Sequence, residues 1–178
     1  WFEPSYSLYP VLAAIEELRA TPTELGPDFE WREPQVEGVA LFLLTHPNAP
    51  TGGVYPAETI ADFRARFRGV LAVDEAYVDF ADRDLMRMAI EDDRTLVFRS
   101  LSKSFSLAGL RLGYVVGPPD LIRAMTTVKD SYNVDRLAAT LGLAALHDLD
   151  WMRQNARRIC ATRERVGARL TAMGCQVW

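Results

Sequence analysis

The chain alternates between short, almost wholly apolar runs and longer stretches in which apolar residues recur at helical spacing. The short runs predict strands buried on both faces, at residues 38–45, 70–80, 95–100 and 111–117. The periodic stretches predict helices, at residues 9–20, 56–67, 118–128, 135–147 and 149–173. Residues 21–38 are rich in Pro, Glu and Gly and are expected to be mostly loop with a short edge strand. Strands that alternate with helices predict an α/β fold with a mainly parallel sheet flanked by helices.

Several polar residues follow the predicted strands closely. In parallel sheets, ligands bind outside the carboxyl ends of the strands. We therefore expect a functional site at one sheet edge, near four residues: Asn48, Asp74, Asp79 and Lys103.

Composition narrows the choice of function. With 178 residues, 49% of them hydrophobic and 25% charged, the chain has the makeup of a globular domain. A net charge of −4 argues against nucleic acid as the main partner, and no apolar run is long enough to span a membrane. The two cysteines show no metal-binding spacing, and His46 and His147 lie far apart, so no metal site is expected. Cysteines with neither a metal-binding nor a CxxC spacing suggest a reducing compartment, which favours a cytoplasmic protein.

Lysine is scarce in this chain. Of its 20 basic residues only Lys103 and Lys129 are lysines, and the rest are arginines. Arginine suffices where only positive charge is needed, but it cannot act as an amine nucleophile. Lys103, which lies between two serines just after a predicted strand, is therefore the candidate for covalent catalysis, whereas Lys129 fits a polar surface loop.

Three motifs then identify a family resemblance: "PNAPTG" at 47–52, "DEAYVDF" at 74–80 and "SLSKSFSLAGLRLGY" at 100–114. In this order and spacing they resemble the fold-type I pyridoxal-phosphate (PLP) aminotransferases, and among these the histidinol-phosphate aminotransferases most. The resemblance covers essentially the whole chain. It implies the large PLP-binding domain over 1–147, without its N-terminal part, and a long helix that begins the small domain over 148–178. We therefore expect the chain to be truncated at both ends.

The resemblance also implies roles for individual residues. Lys103 would form a Schiff base with the aldehyde of PLP, and Asp74 would pair with the ring nitrogen. Asn48 and Tyr77 would bind the phenolate oxygen of the cofactor.

Four more residues complete the implied cofactor site. Ser100, Ser102 and Arg111 would hold the phosphate, and Tyr6 would stack on the ring. Many relatives have Thr at the position of Ser100, but the hydroxyl is retained. Asp79 and Glu75 are expected to be structural or solvated.

The implied activity is amino transfer between histidinol phosphate and 2-oxoglutarate in histidine biosynthesis, by a homodimer. Two alternatives stay open from the sequence. One is a PLP-dependent decarboxylase of a phosphorylated amino acid, which would share nearly all of these motifs. The other is a cofactor-sensing, aminotransferase-like domain of a transcription regulator.

Overall fold

A four-stranded sheet organises the chain, of which the computed structural model describes residues 1–178. Its strands are β3 (Leu41–Thr45), β4 (Val70–Asp74), β5 (Thr95–Ser100) and β6 (Gly113–Val116), in the spatial order β3-β4-β5-β6. The first three run parallel, and β6 pairs antiparallel with β5. The predicted α/β fold with a mainly parallel sheet is therefore confirmed.

Six helices and a small second sheet surround these strands. The helices are α1 (Leu8–Ile15), α2 (Ala57–Arg66), α3 (Met86–Glu91), α4 (Pro119–Val128), α5 (Arg136–His147) and α6 (Leu149–Ala172). Strands β1 (Phe2–Glu3) and β2 (Thr23–Glu24) form a parallel pair, and 3-10 turns occur at Val78–Phe80 and Ala108–Leu110. No helix is both long enough and apolar enough to cross a membrane.

Aspartates begin the last two helices. The side chain of Asp135 accepts a hydrogen bond from the Ala138 N–H at 2.8 Å, and that of Asp148 accepts one from the Trp151 N–H at 3.2 Å. Each carboxylate satisfies a backbone donor that has no partner inside its helix. The helices therefore begin where the sequence places capping residues, close to the predicted starts at 135 and 149.

The core lies between one face of the sheet and α2. Its centre is a cluster of aromatic rings in edge-to-face, tilted or stacked contact: Phe2, Phe42, Phe63 and Phe67. Each of these rings is almost wholly buried, and burying such a side chain contributes about 1.5–3 kcal/mol. This core holds β3 and β4 rigidly and so fixes the positions of the residues that follow them.

Two predicted elements are longer than the structure has them. The predicted helix over 9–20 ends at Ile15, and Glu17 takes a positive φ of 53°, which a helix does not accommodate. The predicted strand over 70–80 ends at Asp74, whose side chain accepts a hydrogen bond from the Ala76 N–H at 3.0 Å. This local bond gives the backbone an alternative to the strand ladder, and the chain turns there.

The long helix α6 packs on the sheet domain. The guanidinium of Arg163 donates to the Phe80 carbonyl at 3.2 Å, and the Cys160 thiol lies 3.6 Å from the same oxygen. The segment expected to begin a second domain is thus tied to the 3-10 turn that follows β4.

Candidate active site

Three parallel strands end at the same edge of the sheet. The pairing register places Thr45 opposite Asp74, and Asp74 opposite Phe98. Asn48 and Lys103 each come three residues after the end of a strand. The register therefore brings the polar strand-end residues to one edge.

Asp74 is half-buried and both of its carboxylate oxygens accept hydrogen bonds. Oδ1 accepts from the Ala76 N–H at 3.0 Å, and Oδ2 accepts from the Tyr9 hydroxyl at 3.2 Å. Because a carboxylate has about four lone-pair sites, it can accept a further donor from a ligand. These two donors fix the orientation of the Asp74 carboxylate.

Asn48 is almost wholly buried, and its amide is fully engaged within the chain. Its Nδ2 donates to the Pro4 carbonyl at 3.0 Å and to Thr51 Oγ1 at 2.9 Å, while Oδ1 accepts from the Ser5 hydroxyl at 3.0 Å. A ligand oxygen that took a hydrogen bond from Asn48 would have to displace one of these two acceptors.

The tight turn that carries Asn48 depends on a glycine. The Gly52 N–H donates to the Asn48 carbonyl at 2.7 Å, and the Asn48 N–H donates to the Gly53 carbonyl at 2.8 Å. Gly52 has a φ of 74°, in the left-handed region that glycine enters without steric cost. The "PNAPTG" stretch therefore holds Asn48 in place through its turn geometry.

Lys103 lies in a turn after β5, and its side chain is exposed. Its Nζ is 5.0 Å from the centre of the Tyr77 ring, and Tyr77 is itself 36% exposed. This separation suits a cation–π contact between an ammonium group and the ring face. Two residues from separate motifs, after β4 and after β5, thus meet at the sheet edge.

The three residues expected to hold a phosphate have different local partners. Ser100 Oγ accepts from the Ser102 N–H at 3.0 Å, and neither serine hydroxyl donates to a protein acceptor. Arg111 is exposed, has a φ of 52°, and donates from Nη1 to the Ala108 carbonyl at 2.8 Å. Two hydroxyl donors and most of the guanidinium therefore remain available.

Tyr6 comes just before α1 in the chain. Its ring is 47% exposed and meets Tyr9 edge to face, with ring centres 5.6 Å apart and planes at 88°. The exposed part of the ring is free to contact a ligand.

A cleft of about 1380 Å³ opens beside the site. Asn48, Tyr77 and Ser100 line one part of it, and residues of α6 such as Arg157 line another. Lys103, Asp74 and Arg111 do not line the cleft, so it borders the candidate site without containing it.

The residue after Asp74, Glu75, forms a buried ion pair with Arg99. Nothing in the sequence indicated that Arg99 takes part in it. Glu75 Oε2 lies 2.7 Å from Arg99 Nη2, and Glu75 Oε1 accepts from the Leu85 N–H at 2.5 Å. Burial raises the pKa of Glu75, and the Arg99 guanidinium opposes that rise. Glu75 is thus structural, because it ties the turn after β4 to β5.

The aminotransferase class I and II family model matches residues 2–178. The chain belongs to that family. No group of three or more His, Cys, Asp or Glu side chains is arranged to hold a metal ion.

Individual aminotransferases resemble the chain in sequence and in fold. The histidinol-phosphate aminotransferase of Citrifermentans bemidjiense is 42% identical over 178 residues, which cover 99% of this chain and 51% of that protein. A putative aminotransferase structure from Burkholderia pseudomallei is 33% identical with a TM-score of 0.85, covering 98% of this chain and 55% of that one. Histidinol-phosphate aminotransferase from Sinorhizobium meliloti, solved in complex with pyridoxal-5'-phosphate, is 25% identical with a TM-score of 0.84, covering 96% of this chain and 49% of that one.

The chain spans about half the length of the curated relatives that it matches. The geometry described above is therefore that of one part of the aminotransferase fold, centred on the sheet edge with Asp74 and Lys103.

Proposed function

We propose that this chain is the cofactor-binding part of a PLP-dependent aminotransferase that transfers an amino group between histidinol phosphate and 2-oxoglutarate, in histidine biosynthesis. The observation that carries the proposal is the juxtaposition at the sheet edge. The Lys103 amine lies beside Tyr77, and the register of β3, β4 and β5 brings Asp74 to the same edge. The 42% identity to a histidinol-phosphate aminotransferase supports the choice of substrates.

The donors and acceptors at this edge suit the groups of PLP. A phosphate takes hydroxyl donors and a guanidinium, which Ser100, Ser102 and Arg111 offer. A pyridine nitrogen that carries a proton requires a carboxylate, and Asp74 retains accepting capacity for it. Tyr77 and Asn48 would bind the phenolate oxygen, with Asn48 exchanging one of its present acceptors, and Tyr6 would stack on the ring.

When bound, PLP supplies an aldehyde that exchanges one amine for another and a ring that withdraws electrons from the substrate Cα. Lys103 would hold the cofactor through its Nζ. When it is not bonded to the cofactor, the same Nζ would be the base that accepts the proton from the substrate Cα. Asp74 would face the ring nitrogen, and Arg111 and the serines would keep the cofactor from shifting.

We assign residues 1–147 to the PLP-binding large domain and 148–178 to the start of the small domain. We also propose that the enzyme is a cytoplasmic homodimer that acts on small molecules. Both cysteines, Cys160 and Cys175, are free thiols, as is typical of a reducing compartment.

Reduction with borohydride tests the role of Lys103 directly. The natural gene product that carries this chain is incubated with PLP, reduced and mapped by peptide mass. We expect the pyridoxyl group on Lys103. The matched control is Lys129, the other lysine, whose Nζ contacts the Asp130 carbonyl and Asn133 in a surface loop. A label on Lys129 alone, or no label, would refute the assignment.

The reaction is tested by measuring glutamate formed from histidinol phosphate and 2-oxoglutarate. We expect Lys103→Ala to lower the rate by a factor on the order of 10³ or more, and Lys129→Ala to leave it unchanged. Release of CO2 from a phosphorylated amino acid supplied as substrate, with no glutamate formed from histidinol phosphate and 2-oxoglutarate, would instead identify a decarboxylase and overturn the proposed activity.

A further inference from the structure

A row of three hydroxyl groups joins Asn48 to Asp74. The Ser5 hydroxyl donates to Asn48 Oδ1 at 3.0 Å and lies 3.0 Å from Thr45 Oγ1. Thr45 Oγ1 lies 2.7 Å from the Tyr9 hydroxyl, which donates to Asp74 Oδ2 at 3.2 Å. We call this set, Ser5, Thr45 and Tyr9, the hydroxyl chain.

The two hydroxyls nearest Asp74 are shielded from water. Tyr9 is 6% exposed and Thr45 is 4% exposed. Thr45 pairs with Asp74 across neighbouring parallel strands. The sheet therefore places the Thr45 hydroxyl on the strand next to the Asp74 carboxylate. A hydrogen bond to a charged group in such surroundings is stronger than one between neutral groups.

Tyr9 serves as a donor and not as an acid in this arrangement. Burial, and next the negative charge of Asp74, raise the pKa of the Tyr9 hydroxyl well above its ordinary value. The phenol therefore keeps its proton and presents it to Asp74 Oδ2.

A count of protons singles out Thr45. Ser5 donates to Asn48 and Tyr9 donates to Asp74, so the remaining hydroxyl hydrogen belongs to Thr45. It can be given to Ser5 or to Tyr9, but not to both. The Tyr9 oxygen, at 2.7 Å, is nearer to Thr45 Oγ1 than the Ser5 oxygen at 3.0 Å. When Thr45 donates to Tyr9, the Ser5 and Thr45 oxygens are in contact without a hydrogen between them.

We propose that Tyr9 is a positioning residue for the Asp74 carboxylate and that Thr45 holds Tyr9 in place by donating its hydrogen to the Tyr9 oxygen. This inference rests on the proposed function, because it assigns Asp74 to the ring nitrogen of PLP. Tyr9 does not touch the reacting atoms. It fixes the direction in which Asp74 presents its free lone pairs to the cofactor.

A double-mutant cycle on the cofactor-free protein tests the contact itself. Tyr9→Phe, Asp74→Asn and the double variant are unfolded in urea. We expect the unfolding equilibrium constant of the double variant to differ by about fivefold from the value that independent effects would give. Tyr55→Phe is the matched control, since Tyr55 is equally buried and its hydroxyl has no partner. Its effect should combine independently with that of Asp74→Asn.

Affinity for PLP tests the positioning role, on the gene product that carries this chain. We expect Tyr9→Phe and Thr45→Val each to raise the dissociation constant of PLP by about five- to tenfold. Thr45→Ser, which restores the hydroxyl, should return it to within about twofold of the unaltered protein. Tyr55→Phe should leave it unchanged. If Tyr9→Phe fails to fold, Thr45→Val and its serine rescue decide the question.

The outcomes separate this inference from the proposed function. Coupling in the cycle together with weaker PLP binding supports the positioning role. An unaltered dissociation constant in both Tyr9→Phe and Thr45→Val overturns it, whether or not the cycle shows coupling. Failure of the unaltered protein to bind PLP at Lys103 overturns the proposed function instead, and the positioning role with it, while the cycle still reports whether Tyr9 and Asp74 interact.

Discussion

Two buried side chains next to the candidate site each leave one polar atom without a partner, namely His46 Nδ1 and the Tyr55 hydroxyl. The two residues are in contact, because the His46 side-chain Nε2 lies 3.3 Å from the backbone carbonyl oxygen of Tyr55. A buried polar atom without a hydrogen bond costs about 1–3 kcal/mol. The two unpartnered atoms therefore lower the free energy of unfolding.

Removing the unpartnered hydroxyl should stabilise the fold. Tyr55→Phe keeps the ring that packs against Phe2 and Trp31 and deletes only the oxygen. We expect the free energy of unfolding in urea to rise by about 1 kcal/mol. Tyr132→Phe, at a ring 92% exposed, is the control and should change nothing. A loss of stability in Tyr55→Phe would mean that the hydroxyl has a partner.

His46 should make stability depend on pH. Burial lowers the pKa of His46 below its ordinary 6.5, so the unfolded chain binds a proton at a pH where the folded chain does not. Stability from this group is complete above 6.5 and falls as pH falls toward the folded pKa, by at most about 1.4 kcal/mol per pH unit.

The check compares the unaltered chain with His46→Gln between about pH 7.5 and about pH 5.5. We expect the difference in their unfolding free energies to shrink as pH falls, because only the unaltered chain has the titrating ring. A constant difference for His46→Gln would rule out the proposed contribution.

At the level of elements, the buried Glu75–Arg99 pair connects the end of β4 to β5. The Glu75 side chain is wholly buried and that of Arg99 is 18% exposed. Arg99 also reaches Asp84 Oδ2 at 3.2 Å, so one guanidinium holds the strand and the segment before α3 together. The turn that carries Tyr77 lies between these contacts.

Removing one partner of the Glu75–Arg99 pair should lower the free energy of unfolding. Arg99→Met removes the cation and leaves the Glu75 carboxylate buried without it, so we expect a loss of about 3 kcal/mol in unfolding free energy. Arg87→Met removes an exposed arginine paired with Glu91 and should have little effect. If both variants lose the same stability, the pair does not join the two strands as described. The double variant Glu75→Gln with Arg99→Met should recover part of the loss, because no charge is then left buried.

Hydrophobic patterning predicted most of the strands and helices. The strands over 41–45 and 95–100 and the helices over 119–128, 136–147 and 149–172 appear within a few residues of their predicted bounds. Where side chains compete with the backbone, patterning failed, as at Asp74, where a local hydrogen bond ends the strand. The short helix α3 was missed because it offers barely two turns of periodicity.

The site was predictable where a motif identifies a residue, and not where only the fold connects residues. Asp74 ends a strand, and Asn48 and Lys103 each come three residues after one. Their place at a shared edge therefore followed from the parallel sheet. Tyr9 and Thr45 gave no such signal. They lie 36 residues apart, and only the fold brings their hydroxyls together.

The whole molecule exposes more surface than a compact protein of its mass. A compact monomer of 20.0 kDa exposes about 8,700 Å², whereas this chain exposes 11796 Å². Apolar side chains contribute to the excess, and one face of α1 presents Val11, 48% exposed, and Ile15, 67% exposed, at a helical spacing of four. Contiguous exposed apolar surface of this kind marks sites of association.

The isolated 178-residue chain should therefore associate through the α1 face. At roughly 10 µM we expect sedimentation to report species larger than 20.0 kDa, because exposed apolar surface favours association at micromolar concentrations. Replacing Val11 and Ile15 together by Lys puts two charges on the α1 face and should shift the distribution toward monomer. The control is Ile90→Lys on α3, at a side chain 71% exposed that stands apart from α1, which should leave the distribution unchanged. A chain that sediments as a monomer without any substitution would show that the α1 face does not drive association, and the excess surface would then be ordinary solvated surface.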